Sequence, residues 1–573
     1  MMEFLVWSIS AIFAYAPWVI YMLCVPRMVH IFQMESYKTK DYMRWLSKNA
    51  KKAFSLGAPQ LMACAIYIMI ILVINLLLSK YAPIYFSPIL LLVQYIMLFV
   101  VFIVTNVHQI KKDIQSRKNA KKKLVYTARA KRLIFFNFIV FVLLIAAFIF
   151  SSDMYIDTDQ ITDAVLRLRA LIYNEMFAYV MYSIFIFLLP VNILLGNYFA
   201  WPTEQAYNTR YIKSAKRILR KKQHKNLIKI GITGSYGKTS TKFILKTILS
   251  EKFNVLATPE SYNTTMGNVR VIREQLKPEH EVFISEMGAR YKRDILEICD
   301  IVNPKYGIIT SIGPQHLETF KNIDNIVSTK AELIHSVPND GAVFLPRDNE
   351  HCKKLFNKEE KEKYSYSLSD KKADVYAKDI VLDENGSNFT AVTPIGDIKC
   401  STILLGEHNI GNILGCIAIA VKLGLTRNQI ENGVKKIEPI PHRLQILNSG
   451  NGTIVIDDAF NSNPVGAKMA IDVLGKFKGR KIVITPGMVE LGTEEKNENR
   501  KFGKHMASIV DIAILVGNKR SEPIVEGLRE GKFNEANIYV VADLNAATAK
   551  LAELSQVGDV ILFENDLPDS YNE

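Results

Sequence analysis

The stretch IGITGSYGKTSTKFIL, residues 230–245, contains residue types that proteins use to bind phosphate. Gly234 and Gly237 allow the backbone to curl around phosphate oxygens, with N–H groups and a helix N-terminus pointing inward. Lys238 would bring a charge to the outer phosphates of a nucleotide, and the Thr239 hydroxyl would face Mg²⁺. The common spacing G-x-x-x-x-G-K-[ST] is not met, because an isoleucine stands where its first glycine belongs. These residues alone indicate a nucleotide site, and a glycine turn with an exposed lysine is the alternative.

The elements around this loop are those of a parallel sheet. After residue 228, short β-branched runs such as LIKIGIT, EVFISEM and YGIITSI alternate with amphipathic stretches such as KTSTKFILKTILSEKF. Strand–helix alternation of this kind predicts a parallel sheet with helices on both faces. Ligands of such sheets bind at the carboxyl ends of the strands, which is where the glycine loop falls.

The loop TGSYGKTSTK resembles that of the Mur ligases, the ATP-dependent amide-forming enzymes of peptidoglycan synthesis, which use T-G-[ST]-x-G-K-[ST]. Further segments resemble motifs of this family in the family's order: SYNTTMG, SEMGAR, SIGPQHLETF, TKAEL, LGEHNIGN, PHRLQ and IDDAFNSNP. The resemblance extends over residues 230–573, and the closest motifs are those of the member that adds a D-Ala-D-Ala dipeptide. Family members phosphorylate a carboxylate with ATP, and an amine then attacks the resulting acyl phosphate.

The resemblance implies a set of site residues and two cofactors, ATP and Mg²⁺. The implied metal ligands are Thr239, Glu286, His316 and Lys330. The implied catalytic residues are Lys238, His316, Lys330 and Arg443. The implied nucleotide-binding residues are Gly234, Ser235, Gly237, Lys238, Thr239, Ser240, Asn263, Asn409, Asn412, Arg443 and Asp458. Lys330 would be carbamylated, which first requires that its pKa of about 10.4 be lowered by burial or neighbouring cations.

Several of these residues have plainer alternatives. Glu286 could be a solvated acid at a strand end, His316 a loop histidine, and Lys330 an ordinary helix-surface lysine. Asp458 could hold the ribose, or fix Lys238 or the hinge between domains. Domain closure is expected to bring the arginine and aspartate of the last domain over the ATP.

Five long stretches in the first two hundred residues lack Asp, Glu, Lys and Arg: 4–26, 53–79, 81–110, 133–152 and 176–203. Each reaches the length of about 20 residues that a helix needs to cross a membrane, and Pro190 is expected to kink the last one. Buried helices of a large soluble core are the alternative. The fold predicted is therefore an α-helical transmembrane domain (1–203), a basic juxtamembrane linker (204–228), a central parallel-sheet ATP-binding domain (229–439) and a smaller C-terminal α/β domain (440–573).

Charge and cysteine usage constrain the partners and the compartment. The formal net charge is +15, but the basic excess lies beside the apolar stretches, which gives little support to a nucleic-acid partner. Segments 27–52, 111–132 and 204–229 are rich in Lys and Arg, whereas 153–175 is acidic. The positive-inside rule therefore predicts a multi-pass membrane protein with its N-terminus outside and its catalytic domains in the cytoplasm. The six cysteines include no C-x-x-C pair, which fits a reducing compartment.

The chain departs from the family at both ends. Residues 1–203 replace the domain that grips the UDP end of the substrate, which favours a lipid-linked acceptor in contact with the bilayer. The ending VILFENDLPDSYNE lacks the expected Lys-Gly-Ser-Arg element, so the amine, an amino acid or a dipeptide, stays open. A polymerising ligase of the poly-γ-glutamate type is an alternative. An ATP-driven transporter is a weaker one, because transport pathways usually need ionisable groups within their spans.

Overall fold

The structure is a computed structural model that describes residues 2–55, 57–79, 88–118, 122–151, 163–448, 452–460 and 462–567. The chain forms two compact units, Met1–Tyr207 and Asn208–Leu567. The first unit is built of helices: α1 (Met2–Met34), α2 (Thr39–Lys48), α3 (Ala50–Phe54), α4 (Ala58–Ser79), α5 (Pro88–Lys118), α6 (Ala128–Ser151), α7 (Ala164–Phe187) and α8 (Leu189–Leu219).

Helices follow the apolar stretches of the first unit. By length and composition, two helices among the described residues could cross a membrane, Val93–Lys118 and Ala128–Ala147. A third candidate is the pair Met176–Phe187 and Leu189–Leu219, which is bent by 75° at a break next to Pro190, where a kink was predicted. The stretches 4–26, 53–79 and 81–110 lie partly outside the residues whose side chains are described.

Ion pairs connect the basic segment 111–132 with segment 27–52 and with the start of segment 204–229. Arg27 forms an ion pair with Asp113 across 3.7 Å, which joins segment 27–52 to segment 111–132. Arg132 forms another with Glu204 across 2.5 Å, which joins segment 111–132 to segment 204–229. These segments are separated by long helices but lie at the same end of the helical unit. Helices that run alternately in opposite directions would place them there.

The central domain is a nine-stranded sheet with strand order β2-β3-β1-β4-β5-β6-β7-β8-β9. Its strands are β1 (Ile228–Thr233), β2 (Val255–Ala257), β3 (Val282–Glu286), β4 (Tyr306–Ile309), β5 (Ala342–Pro346), β6 (Glu362–Ser367), β7 (Val375–Asp383), β8 (Gly386–Val392) and β9 (Ile398–Thr402). The pairs from β2 to β7 are parallel, and β7, β8 and β9 are antiparallel. The parallel part confirms the predicted sheet.

Helices cover the central sheet: α9 (Lys238–Leu249), α10 (Thr265–Glu274), α11 (Asp294–Val302), α12 (Leu317–Phe320), α13 (Ile323–Ser336), α14 (Glu350–Lys358), α15 (Glu407–Lys422) and α16 (Arg427–Lys435). In β1 and β3, Ile230, Ile232 and Ile284 lie on one face of the sheet and Phe283 lies on the other, and all four are fully buried. The predicted linker 204–228 is helical as far as Leu219, and Ala215 within it packs on the central domain.

The C-terminal domain is a six-stranded sheet with strand order β10-β11-β15-β12-β13-β14, parallel except for β10. Its strands are β10 (Gln445–Asn448), β11 (Ile454–Asp458), β12 (Lys481–Thr485), β13 (Ile512–Val516), β14 (Ile538–Val541) and β15 (Val560–Glu564), and its helices are α17 (Pro464–Leu474), α18 (Glu495–Met506), α19 (Glu522–Glu530) and α20 (Leu544–Leu554). The central and C-terminal domains are therefore each built on a sheet of their own.

Candidate active site

The glycine loop joins β1 to α9, as predicted. Gly237 has φ +76°, in the left-handed region that glycine tolerates, and a β-carbon there would lie 2.7 Å from Asn412 Oδ1. At Gly234 a β-carbon would lie 2.0 Å from Thr310 Oγ1. Ser235 is buried and holds the loop to the next strand connection, since its hydroxyl donates to Gly313 O across 2.9 Å. A β-carbon at either glycine would therefore force neighbouring atoms to move.

Lys238 begins α9 and folds back over the loop. Its Nζ donates to Gly234 O across 2.8 Å and to Ser235 O across 3.1 Å. The pKa of its amine is lowered to about 8, chiefly by burial; the charge of Glu286 opposes this shift and the charge of Arg443 adds to it. The amine therefore sits at the mouth of the loop, where a phosphate oxygen would be its natural partner. Ser240 lies buried in the first turn of the same helix.

Glu286 ends β3 and is the centre of a buried polar cluster. Thr239 Oγ1 donates to its Oε1 across 3.0 Å, and Asn263 Nδ2 donates to the same oxygen across 3.2 Å. Lys242 Nζ pairs with Oε2 across 2.9 Å, and both side chains of this ion pair are 0% exposed. Lys242 Nζ also donates to the Glu260 carbonyl. The structure thus brings together Thr239, Asn263 and Glu286, which were all candidates from the sequence, and adds Lys242, which was not.

The donor set at this position suits Mg²⁺. A carboxylate and a hydroxyl offer hard oxygen atoms side by side, and Mg²⁺ commonly takes one or two such protein ligands together with phosphates and water. Among the described residues no group of three or more His, Cys, Asp and Glu side chains is placed to hold a metal by itself. Thr239 and Glu286 could therefore hold a metal that the phosphates of a nucleotide complete.

His316 and Lys330 lie within the electrostatic range of Lys238. His316 follows β4 with φ +51°, and burial lowers the pKa of its imidazole, as does the charge of Lys238. Lys330 lies on α13 with 2% of its surface exposed. Burial lowers the pKa of the Lys330 amine well below its usual range, and the charge of Lys238 adds to this effect. Lys330 is therefore a buried helix residue, which contradicts the surface-lysine alternative.

Arg443 and Asp458 come from the C-terminal domain. Arg443 Nη1 donates to Phe460 O across 2.8 Å, and its guanidinium lies 4.7 Å from the centre of the Phe460 ring. Its charge affects the pKa of Lys238, so the two domains bring these cations near each other. Asp458 accepts a hydrogen bond from Leu444 N across 3.2 Å, and burial raises the pKa of its carboxyl to about 6.

The segment LGEHNIGN forms the start of α15. Asn412 Oδ1 accepts from Thr241 Oγ1 across 3.2 Å and packs against the glycine loop. Asn409 Nδ2 donates to Leu405 O across 2.9 Å. The Asn409 Oδ1 and His408 Nδ1 atoms are buried and have no hydrogen-bond partner within the described part of the chain. Unpartnered buried polar atoms on two successive residues indicate a place where a polar ligand completes the hydrogen bonding.

This arrangement agrees with comparisons to known proteins. The sequence matches the family description "Mur ligase middle domain" over residues 232–420 and "Mur ligase, glutamate ligase domain" over residues 442–564. It is 30% identical over 356 residues to the UDP-N-acetylmuramoyl-tripeptide–D-alanyl-D-alanine ligase of Mycobacterium tuberculosis H37Rv, and the match covers 58% of this chain and 69% of that protein. The chain belongs to the Mur ligase family.

Other relatives give the same result. The corresponding ligase of Escherichia coli K12 is 27% identical over 294 residues, covering 51% of this chain and 64% of that protein. The crystal structure of MurF from Acinetobacter baumannii aligns with a TM-score of 0.58 and 25% identity, over 64% of this chain and 78% of that one. The Thermotoga maritima MurF ligase in complex with ADP shares the fold, with a TM-score of 0.55 and 23% identity, over 63% of this chain and 80% of that one. As a Mur ligase, the chain is an ATP-dependent ligase that joins an acid to an amine.

Three polar residues of this Mur ligase went unnoticed in the sequence. Lys242 had a weak signal, a lysine four positions after Lys238 on the same face of α9. Glu490 lies in PGMVELG after β12, and its carboxylate contacts His316 Nδ1 of the central domain. Glu564 ends β15, where burial raises the pKa of its carboxyl to about 7. Glu490 and Glu564 had no signal, since a single acid after a strand is usually solvated.

Proposed function

We propose that this Mur ligase is a membrane-anchored, ATP- and Mg²⁺-dependent enzyme that couples an amino acid or dipeptide to a carboxylate of a peptidoglycan-type precursor. The observation that carries the proposal is the grouping of Thr239, Glu286 and Lys238 at the carboxyl ends of β1 and β3. Arg443 of the C-terminal domain adds a further cation near the same point. Such a grouping suits phosphoryl transfer, which depends on positioning and on neutralising phosphate charge.

The proposed reaction has two steps, and the cationic residues of the site neutralise the phosphate charge in the first. In the first step a carboxylate oxygen of the acceptor attacks the γ-phosphorus of ATP, the bond to the β-γ bridging oxygen breaks, and ADP leaves. In the second step the amine nitrogen attacks the acyl carbon, phosphate leaves, and the amine loses a proton. Lys238 exchanges its carbonyl partners for phosphate oxygens, and Arg443 balances charge on the transferring group. Bound Mg²⁺ would neutralise phosphate charge, held by Thr239 and Glu286 on the protein side.

Two further assignments belong to this proposal. Lys330 takes up CO₂ as a carbamate: its nitrogen bonds to the carbon and releases a proton, which gives an anionic oxygen ligand. The lowered pKa of its buried amine supports this step, because only the neutral amine is nucleophilic. The second assignment is the adenine side of ATP, which we place at Asn409, with Asn412 holding the glycine loop in position. The unpartnered Asn409 Oδ1 supports it.

The helical unit suggests where the acceptor is found. The relatives are named for a UDP-linked tripeptide and for D-alanyl-D-alanine. Both family matches lie within residues 232–564, and the preceding region carries apolar helices instead. The ion pairs that join its three basic segments support a common cytoplasmic end and an N-terminus outside. A site tethered to the inner leaflet would meet a lipid-linked carboxylate at high effective concentration.

The test uses purified full-length protein in detergent, ATP and Mg²⁺. Muropeptide acceptors ending in a free carboxylate are supplied in UDP-linked and lipid-linked forms, each with D-alanyl-D-alanine or single amino acids. Phosphate release that requires both acid and amine is expected, together with one added mass per acceptor. Lys238→Ala is the control and should abolish release. A ladder of masses would indicate a polymerising ligase. If no combination releases phosphate, the proposed function is wrong.

A further inference from the structure

Glu490 of the C-terminal domain contacts two residues of the central domain of the ligase. It lies in the connection after β12 of the C-terminal domain. Its Oε2 contacts His316 Nδ1, and its Oε1 accepts from Arg290 Nη2 across 3.4 Å. Arg290 and His316 both belong to the central domain, in the connections after β3 and β4. One carboxylate therefore bridges two loops at the edge of the sheet where the glycine loop also lies.

The backbone at both ends of the contact is strained. Glu490 has φ +65° and His316 has φ +51°, and neither is glycine. Such conformations are unfavourable for residues other than glycine and persist where the surrounding structure holds them in place. At Glu490 the surroundings are Met488 and Leu491, which are 1% and 3% exposed, and Asn499, whose Oδ1 and Nδ2 bond the Met488 backbone N–H and C=O at 2.9 Å. The loop therefore aims the carboxylate in a fixed direction.

The contact also determines which ring nitrogen of His316 carries the proton. A carboxylate accepts hydrogen bonds, so the nitrogen that faces it, Nδ1, is the protonated one. The other nitrogen, Nε2, then keeps its lone pair. Carboxylates that bond the far nitrogen of a histidine in this way orient metal ligands in many proteins, and their loss typically weakens metal binding by about 10–100-fold.

We propose that Glu490 is a positioning residue that reaches His316 when the C-terminal domain is docked, and that it fixes the ring with Nε2 available to the metal of the ligase. The inference rests on the proposed function, because it needs a nucleotide-bound metal near His316. Because the carboxylate belongs to one domain and the histidine to the other, the site has its full metal affinity only in the docked arrangement. Arg290 holds the second carboxylate oxygen and keeps Glu490 from turning away.

The test measures Mn²⁺ binding to full-length protein saturated with a non-hydrolysable ATP analogue, by the EPR signal of free Mn²⁺. We expect Glu490→Gln to weaken Mn²⁺ binding by about 10–100-fold. The amide can donate to Nδ1 and so favour the wrong tautomer, whereas Glu490→Asp keeps an acceptor and should retain more affinity. The matched control is Glu494→Gln, an exposed acid in the same connection, which should leave Mn²⁺ affinity unchanged.

A second readout separates positioning from folding. The ¹⁴N modulation of bound Mn²⁺ in pulsed EPR reports a directly bound imidazole; it should be present in the wild type, absent in His316→Ala and weakened in Glu490→Gln. In the His316→Ala background, Glu490→Gln should cause no further loss of Mn²⁺ affinity. Unchanged affinity in Glu490→Gln, or an equal loss in both backgrounds, overturns the role of Glu490 and leaves the proposed function intact. If the wild type binds no Mn²⁺ with the nucleotide analogue, both proposals fail.

Discussion

Replacing Lys242 by methionine removes one partner of the ion pair with Glu286 and keeps the length of the side chain. Both partners are 0% exposed, so solvent does not screen the charge that remains. Removing one member of a buried pair generally costs about 3–5 kcal/mol, because the other charge is left buried. Thr239 and Asn263 still donate to Glu286, which places the expected loss at the lower end, about 3 kcal/mol.

Hydrogen exchange measures this loss of local stability in the two elements that carry the ion pair, α9 and β3. A chain of several domains does not unfold in a single step, so one global free energy would not be well defined. Mass spectrometry of peptides from β3 and α9 gives the free energy of local opening instead. A loss of about 3 kcal/mol corresponds to exchange that is faster by about two orders of magnitude. Lys246→Met, at an exposed position of the same helix, is the matched control and should change the opening free energy by less than about 0.5 kcal/mol.

The double variant Lys242→Met/Glu286→Gln tests whether the loss comes from the unpaired charge of Glu286. Without the carboxylate there is no uncompensated charge, so exchange in β3 should return most of the way towards the wild-type rate. If Lys242→Met exchanges like the wild type, the pair contributes nothing to the stability of the central sheet. If the double variant opens as readily as the single one, the loss comes from packing rather than from the stranded charge of Glu286.

Three further predictions concern other parts of the chain. Gly234→Ala should weaken ATP binding by about 5–150-fold in titration calorimetry, because a β-carbon 2.0 Å from Thr310 Oγ1 costs about 1–3 kcal/mol of overpacking; unchanged affinity would contradict the loop geometry. Folding raises the pKa of Glu564 from 4.5 to about 7, so the folded state binds this proton more tightly than the unfolded state does. The free energy of unfolding should therefore fall by about 3 kcal/mol as the pH rises from 4.5 to 7. Glu564→Gln should remove this pH dependence, measured as hydrogen exchange in β15. An impermeant maleimide added to intact cells should label Asp163→Cys, on the outer side, but not Lys122→Cys, on the cytoplasmic side. The six native cysteines are all buried and should not react. The reverse labelling pattern would refute the proposed orientation.

Much of the central domain was predictable because its sequence signals are local. A short run rich in β-branched residues, such as LIKIGIT, predicts a buried parallel strand wherever it lies. The glycines of TGSYGK are needed by the backbone of one short loop, so their positions could be read directly. The same holds for the kink at Pro190, since proline removes a backbone donor from its own helix. The antiparallel strands β8 and β9 at the edge of the sheet gave no comparable signal.

The candidate site was only partly predictable. Motif order placed Thr239, Glu286 and Lys238 in one site, and the structure brings them within contact or electrostatic range. The ion pair of Lys242 escaped notice because a lysine in an amphipathic helix usually points to solvent, and only the packing of α9 on β3 shows that it does not. Glu490 escaped for a stronger reason, since its partners lie about 170–200 residues away along the chain.

The sequence by itself determined the alternation of strands and helices, the phosphate-binding loop, the apolar helices of the first unit and the membership of the Mur ligases. Each of these depends on residues close together in the chain, whose spacing sets the local backbone and its polarity. Only the tertiary structure decided which charges are buried together, which lysine amines are buried, and which carboxylate of one domain meets the histidine of the other. Those properties depend on distance and on the exclusion of water, and both arise when distant segments pack against each other.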